Sequence, residues 1–180
     1  MIRRQLLMGL LGLLLAGPAR GADGQGSDGQ VIKIYKGARR LELWVDGARV
    51  ESFSVGLGGA PAGDKARQGD LRTPEGTFYV AWKNPRSQFH LFLGLSYPMP
   101  RHARAAWEAG RVSREVYEAV RSAVKRRGIP PQKTRLGGYV GIHGGGAGSD
   151  WTLGCIALSD ADVERLYQRV RRGDRVEVYP

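Results

Sequence analysis

From Val31 onward, apolar and polar residues alternate in short runs: Val31–Tyr35, Leu41–Val45 and Val50–Val55. A period of two puts alternate side chains on opposite faces, which predicts strands. Asp46-Gly47 separates the second and third runs, and such a dipeptide between alternating segments signals a tight hairpin. Three antiparallel strands are therefore expected to open the domain. Gly56 to Asp70 is rich in Gly, Ala and charge, and Thr73-Pro74-Glu75-Gly76 reads as a turn set by its proline. Thr77–Trp82 and Phe89–Leu93 read as two further strands.

The period then lengthens. Ala103–Ala109 and Arg114–Arg127 are predicted as helices, the second capped by Ser113, with Val116, Val120 and Val124 at four-residue spacing and Gly128-Ile129-Pro130 ending it. Tyr139–His143 reads as a strand running into a glycine-rich loop. Ser159 caps a closing helix that carries Val163, Leu166 and Val170 on its apolar face, with Asp162 in the first turn. After Gly173, Arg175–Tyr179 is a last strand. The class predicted is mainly β with helical insertions (α+β), with helical excursions near 103–127 and after position 155.

The segment before Val31 has another character. Arg3-Arg4, an apolar run from Leu6 to Ala16, Gly17-Pro18 and small residues to Gly21 have the order of a secretory signal peptide. The run is far shorter than the roughly 20 residues that cross a bilayer. Organisation is thus expected as a signal peptide over 1–21, a flexible polar linker over 22–30 and one domain over 31–180, located in the periplasm with at most peripheral membrane contact. The Arg pair also resembles the start of a twin-arginine signal.

Charge and cysteine count narrow the function. Losing Arg3, Arg4 and Arg20 with the leader takes the formal charge from +11 to +8. An exported basic domain suits the anionic cell wall or membrane surface, and no nucleic-acid recognition motif accompanies the charge. Cys155 is the single cysteine among 180 residues, so no intramolecular disulfide can form. A lone thiol in an exported protein is either a buried passenger or a reactive group.

Its surroundings point to reactivity. Cys155 follows His143 by way of Gly144-Gly145-Gly146-Ala147-Gly148-Ser149-Asp150-Trp151-Thr152-Leu153-Gly154. Cysteine acyl chemistry needs a thiolate, and a thiol of pKa about 8.5 supplies only a few per cent of it at neutral pH. A histidine within reach takes the proton and returns it to the leaving amine, while Gly154 allows backbone N–H groups close to a developing oxyanion. Other readings fail on missing parts. His143-Gly144-Gly145-Gly146 mimics an esterase oxyanion loop, but no G-x-S-x-G elbow is present. No G-K-[ST] follows the glycines for phosphate, and a metal would need more ligands than one Cys and three His, with His90 and His102 far apart in sequence.

Gly141-Ile142-His143-Gly144 followed by Thr152-Leu153-Gly154-Cys155-Ile156-Ala157-Leu158 resembles the catalytic signature of the L,D-transpeptidases. Gly69-Asp70-Leu71-Arg72-Thr73-Pro74-Glu75-Gly76-Thr77-Phe78 and Gly94-Leu95-Ser96-Tyr97-Pro98 resemble further family segments, so the likeness runs from about Val31 to Tyr179. It implies a β-sandwich of that family's type, Cys155 as nucleophile and His143 as base and then acid. It also implies an oxyanion site built on Gly154 and Cys155, and a histidine-orienting carbonyl at or near Gly144. The implied substrate is a peptidoglycan stem peptide attacked at its third residue, typically a diamino acid, with no cofactor or metal.

Thr152, Leu153 and Ala157 stand where the common signature has Ser, His and Arg or Asn. This variant resembles a branch associated with hydrolytic release of a wall-attached lipoprotein, so an L,D-hydrolase and a non-catalytic wall-binding module stand as alternatives. Trp151, Thr152 and Tyr97 are candidate substrate contacts, with strand-end packing the competing role for Tyr97. His90 is expected to be structural and His102 exposed. Lys65, Arg67 and Arg72 are expected to be solvated surface charge, with contact to a stem-peptide carboxylate as the alternative.

Overall fold

The computed structural model describes residues 29–180. The expected signal peptide and linker positions 22–28 lie outside the described residues. Linker positions 29 and 30 do not behave as linker: the Gly29 carbonyl accepts the Asp46 N–H at 2.8 Å, and Gln30 begins the first strand.

Eight strands and three helices follow in the order β1 Gln30–Tyr35, β2 Arg40–Val45, β3 Ala48–Ser54, β4 Gly76–Ser87, β5 His90–Leu95, α1 Pro100–Glu108, α2 Arg114–Lys125, β6 Gly141–His143, β7 Ile156–Ala157, α3 Asp160–Arg169 and β8 Arg175–Tyr179. The strands hydrogen-bond in the order β3-β2-β1-β8-β4-β5-β6-β7. β4 joins two half-sheets: its first residues, Gly76–Tyr79, pair with β8, and its remainder pairs with β5 after an irregularity between Val80 and Trp82. Both halves bury their inner faces in one cluster, with Ile32, Ile34, Leu41 and Leu43 from one side and Leu93, Leu95, Ile142 and Ile156 from the other. The family-type sandwich is built by folding a sheet over one long strand.

The structure corrects some boundaries. β4 continues five residues beyond the predicted Trp82, because Trp82 lies over Gly94 and this close approach keeps β4 and β5 paired. The strand predicted from Tyr139 begins at Gly141, since Tyr139 adopts φ 54°, outside the extended region. His102 is buried rather than exposed. It sits at the third position of α1, where its Nδ1 accepts the Met99 N–H at 3.1 Å and its ring stacks on Phe78. His90 lies outside the core as the first residue of β5, and pairs with Glu164 of α3 at 2.6 Å.

Ser113 and Ser159 cap α2 and α3, with Ser159 Oγ accepting the Asp162 N–H at 3.1 Å. Removing a cap hydroxyl costs about 1 kcal/mol. Ser159→Ala is expected to lower Tm by about 3 °C for a domain of this size, measured by thermal melting. α3 also positions the loop after β6, because the Asp160 carboxylate accepts the Gly145 N–H at 2.8 Å.

Candidate active site

His143 and Cys155 come from neighbouring strand ends. β6 and β7 run parallel, with Ile142 opposite Ile156 and His143 opposite Ala157. Extending the alternation back one residue places Cys155 beside Gly141, on the face that carries His143. The eleven-residue excursion between them therefore returns the thiol to the histidine's side of the sheet.

The histidine is held on all sides. Its Nδ1 lies 2.6 Å from the Gly144 carbonyl oxygen. A carbonyl only accepts, so Nδ1 carries the proton and Nε2 is left with its lone pair. Phe89 stacks on the ring at a centroid distance of 4.6 Å, and Trp151 meets it edge-on at 5.6 Å. Gly144 is required by close approach: a Cβ there would lie 2.3 Å from Asp160 Oδ1 and 3.0 Å from the Phe89 carbonyl.

The backbone of Cys155 is fixed by two hydroxyls. Thr152 Oγ1 donates to the Cys155 carbonyl at 2.8 Å and Thr73 Oγ1 donates to it at 3.3 Å. Thr152 Oγ1 also accepts the Gly154 N–H at 3.1 Å. This corrects two expectations. Gly154 does not offer its N–H to an oxyanion, whereas the N–H groups of Leu153 and Cys155 have no partner among the described residues. Thr152 is buried and shapes the loop from beneath, so it is not a substrate contact. Gly154 adopts φ +132°, and a Cβ there would stand 2.6 Å from the Arg72 carbonyl.

The remaining candidates separate by exposure. Tyr97 is 0% exposed, and its hydroxyl donates to the Leu136 carbonyl at 2.9 Å, so it packs the core and meets no substrate. Trp151 stays exposed beside His143, with its indole N–H donating to the Gly146 carbonyl at 3.1 Å. Arg67 and Arg72 remain on the surface. Lys65 does not: it is 4% exposed and pairs with Asp70 at 2.6 Å, a correction to its expected solvated role. Tyr139 and Leu153 line a cleft of about 630 Å³, and Cys155 Sγ donates to the Tyr139 carbonyl at 3.4 Å.

The sequence reading had singled out neither Tyr139 nor Phe89 for the site. A tyrosine after Gly137-Gly138 and an aromatic opening β5 look like packing until the register is known. Among the described residues there is no group of His, Cys, Asp and Glu arranged to hold a metal, and no helix long and apolar enough to cross a membrane.

Burial disfavours the charged form of both groups. Burial pushes the Cys155 thiol up to about 11, against the opposing influence of the Gly141 backbone and the Lys65 charge. Burial also lowers the His143 pKa, while its bond to Gly144 works the other way. Iodoacetamide alkylation of Cys155 is therefore expected to accelerate about tenfold per pH unit from about pH 7 to about pH 10, because only the thiolate reacts. A rate that levels off near pH 8.5, as for an ordinary thiol, would contradict this ordering of the pair.

Comparison with known proteins identifies the family and the fold. The family model for the L,D-transpeptidase catalytic domain, YkuD, matches residues 29–178. Among solved structures, the helical cell shape determining protein Pgp2 from Campylobacter jejuni is similar with a TM-score of 0.56 at 21% identity, over 86% of this chain and 50% of that one. Bd1075 from Bdellovibrio bacteriovorus gives a TM-score of 0.54 at 16% identity, over 83% and 47%. The L,D-transpeptidase from Xylanimonas cellulosilytica DSM 15894 gives 0.50 at 16%, over 88% and 63%. At these identities the likeness concerns the fold, and the chain spans less than two thirds of each of these solved chains. No curated protein matches.

Proposed function

Because the chain belongs to the L,D-transpeptidase catalytic domain family, we propose that it is a periplasmic cysteine acyl-transferase acting on peptidoglycan stem peptides at the third-position diamino acid. The observation that carries the reading is the tautomer lock on His143, whose Nδ1 donates to the Gly144 carbonyl while Cys155 stands on the same face of the adjacent strand. That arrangement leaves Nε2 as a base toward the thiol side.

The chemistry follows from the neutral pair. As Sγ attacks the peptide carbonyl, His143 Nε2 takes the thiol proton, so no free thiolate has to accumulate. The N–H groups of Leu153 and Cys155, free of partners among the described residues, are the candidate donors to the oxyanion. The C–N bond then breaks and the imidazolium returns the proton to the departing amine, leaving a thioester on Cys155. An amine acceptor completes transpeptidation, whereas water completes hydrolysis.

One observation favours hydrolysis as a second reading. Leu153, 78% exposed beside the nucleophile, is an apolar group on the cleft wall and offers no hydrogen bond to an incoming amine. Water needs no such recognition, and a wall-attached lipoprotein is one substrate such a hydrolase would release. Incubating purified sacculi with the wild-type protein and with Cys155→Ala separates the outcomes by muropeptide analysis. New cysteine-dependent dimers support transfer, shortened or released peptides support hydrolysis, and products unaffected by Cys155→Ala overturn cysteine catalysis. A cysteine-independent retention on the wall, without products, favours a binding module.

A further inference from the structure

Beside the thiol lies a charged group that the acyl chemistry does not use. Lys65 is buried, and its Nζ donates to Asp70 Oδ1 at 2.6 Å. An ammonium has three N–H donors, and no second acceptor stands within hydrogen-bond distance of this one among the described residues. Asp70 is itself shared: its carboxylate also accepts the N–H groups of Ala66 at 2.8 Å, Arg67 at 3.0 Å and Arg72 at 3.2 Å. A buried cation with a single shared counter-charge is costly to keep.

Its position gives that cost a use. A Cβ on Gly154 would be 3.4 Å from Lys65 Nζ, so the ammonium rests against the residue preceding the nucleophile. Lys65 also lines the 630 Å³ cleft that Tyr139 and Leu153 border, and Lys133 and Arg135 line the same cleft as exposed side chains. No aspartate or glutamate is among the lining residues. Three cations line this cleft, and the one acid paired with them, Asp70 on Lys65, is not itself among the lining residues, so the wall attracts anions.

We propose that Lys65 is the specificity-determining cation of this cleft, its open N–H groups receiving a substrate carboxylate next to the carbonyl that Cys155 attacks, with Lys133 and Arg135 drawing that carboxylate in from the rim. The inference rests on the acyl-transfer reading for its substrate. Its first test needs no wall material. Iodoacetate and iodoacetamide both alkylate Cys155, the S–C bond forming as iodide leaves, and they differ chiefly in the carboxylate. The ratio of their rates, read by intact mass at one pH and normalised to glutathione, therefore reports the charge of the cleft. A general change in thiol reactivity moves both rates and cancels.

The wild-type ratio is expected to exceed that of glutathione, and Lys65→Met to lower it by about fivefold or more. An unchanged ratio in a Lys65→Met protein with wild-type melting would reduce Lys65 to a scaffold ion pair and overturn the proposal. Should that variant fail to fold, the exposed pair Lys133→Ala/Arg135→Ala provides the test, with an expected fall of about twofold that shrinks as salt rises from about 20 mM to about 500 mM. No fall in either protein overturns the proposal. A lost preference without effect on wall products would leave the acyl chemistry standing. An intact preference in a protein inactive on sacculi would instead count against the function proposed above. Stem tetrapeptides amidated at the terminal carboxyl or at the diamino acid then identify the source of the carboxylate: the amide whose KM rises in the wild type but not in Lys65→Met marks it. If neither amide raises KM, the cation does not select substrate.

Discussion

Cys155→Ala is expected to lower product formation from wall peptides by at least about 10⁴-fold while leaving the melting temperature near that of the wild type, because residues acting as one unit fail together when the nucleophile is lost. The side chain is small and only partly buried, so its removal leaves little cavity. His143→Gln is expected to cost about 10³-fold, within the range of general acid–base contributions. Combining the two should add almost nothing to the cysteine change alone. Muropeptide product rates measured for the two single variants and the double variant check this pattern. Independent, multiplicative losses would mean that the histidine acts somewhere other than on the thiol proton.

The second large effect belongs to a residue without a side chain. Gly144→Ala would put a methyl group 2.3 Å from Asp160 Oδ1 and 3.0 Å from the Phe89 carbonyl. Something must move, and the Gly144 carbonyl that shifts with its residue is the one that holds Nδ1 of His143. A misplacement of the base by about 1 Å costs about 100-fold in rate. Gly144→Ala is thus expected to lower kcat by about 100-fold with a smaller change in KM, measured alongside hydrogen exchange at Gly145, whose N–H loses its Asp160 acceptor. Wild-type kcat in a folded Gly144→Ala protein would mean that this carbonyl does not set the histidine's orientation.

Much of the fold can be read along the chain because its elements are locally coded. Alternation marks Val31–Tyr35 and Leu41–Val45 without knowledge of their partners, and Ser113 and Ser159 mark helix starts because a cap hydroxyl acts within its own turn. Pairing is not locally coded. That β1 is flanked by β8, nearly the whole domain later, follows from hydrophobic closure and not from either segment alone. The site divides in the same way. His143 and Cys155 are visible through their chemistry and the glycines between them. Lys65 looked solvated because it stands among Asp64, Ala66 and Arg67, and only the tertiary structure reveals Gly137 and Gly154 packed against it. Tyr97 looked available because tyrosine hydroxyls often meet ligands, yet the Leu136 carbonyl already accepts its hydrogen bond.

The parallel register of β6 and β7 separates the reacting pair from the crest of the loop between them. His143 and Cys155 take their relative positions from the strand ladder and from the anchors at Gly144, Asp160 and Thr152. The stretch Ala147–Ser149 is held against Gly56, where a Cβ would stand 2.2 Å from the Ser149 carbonyl, and within it Gly148 is exposed with nothing within 4 Å of a Cβ there. The side chain at position 148 can therefore vary without resetting the distance between His143 and Cys155, whereas a change of length would disturb the contact with Gly56, which is bonded to Ala157 beside the thiol. On the acyl-transfer reading, a side chain introduced at position 148 would alter what approaches the thiol while leaving the strand-held pair in place, so access and chemistry could change separately.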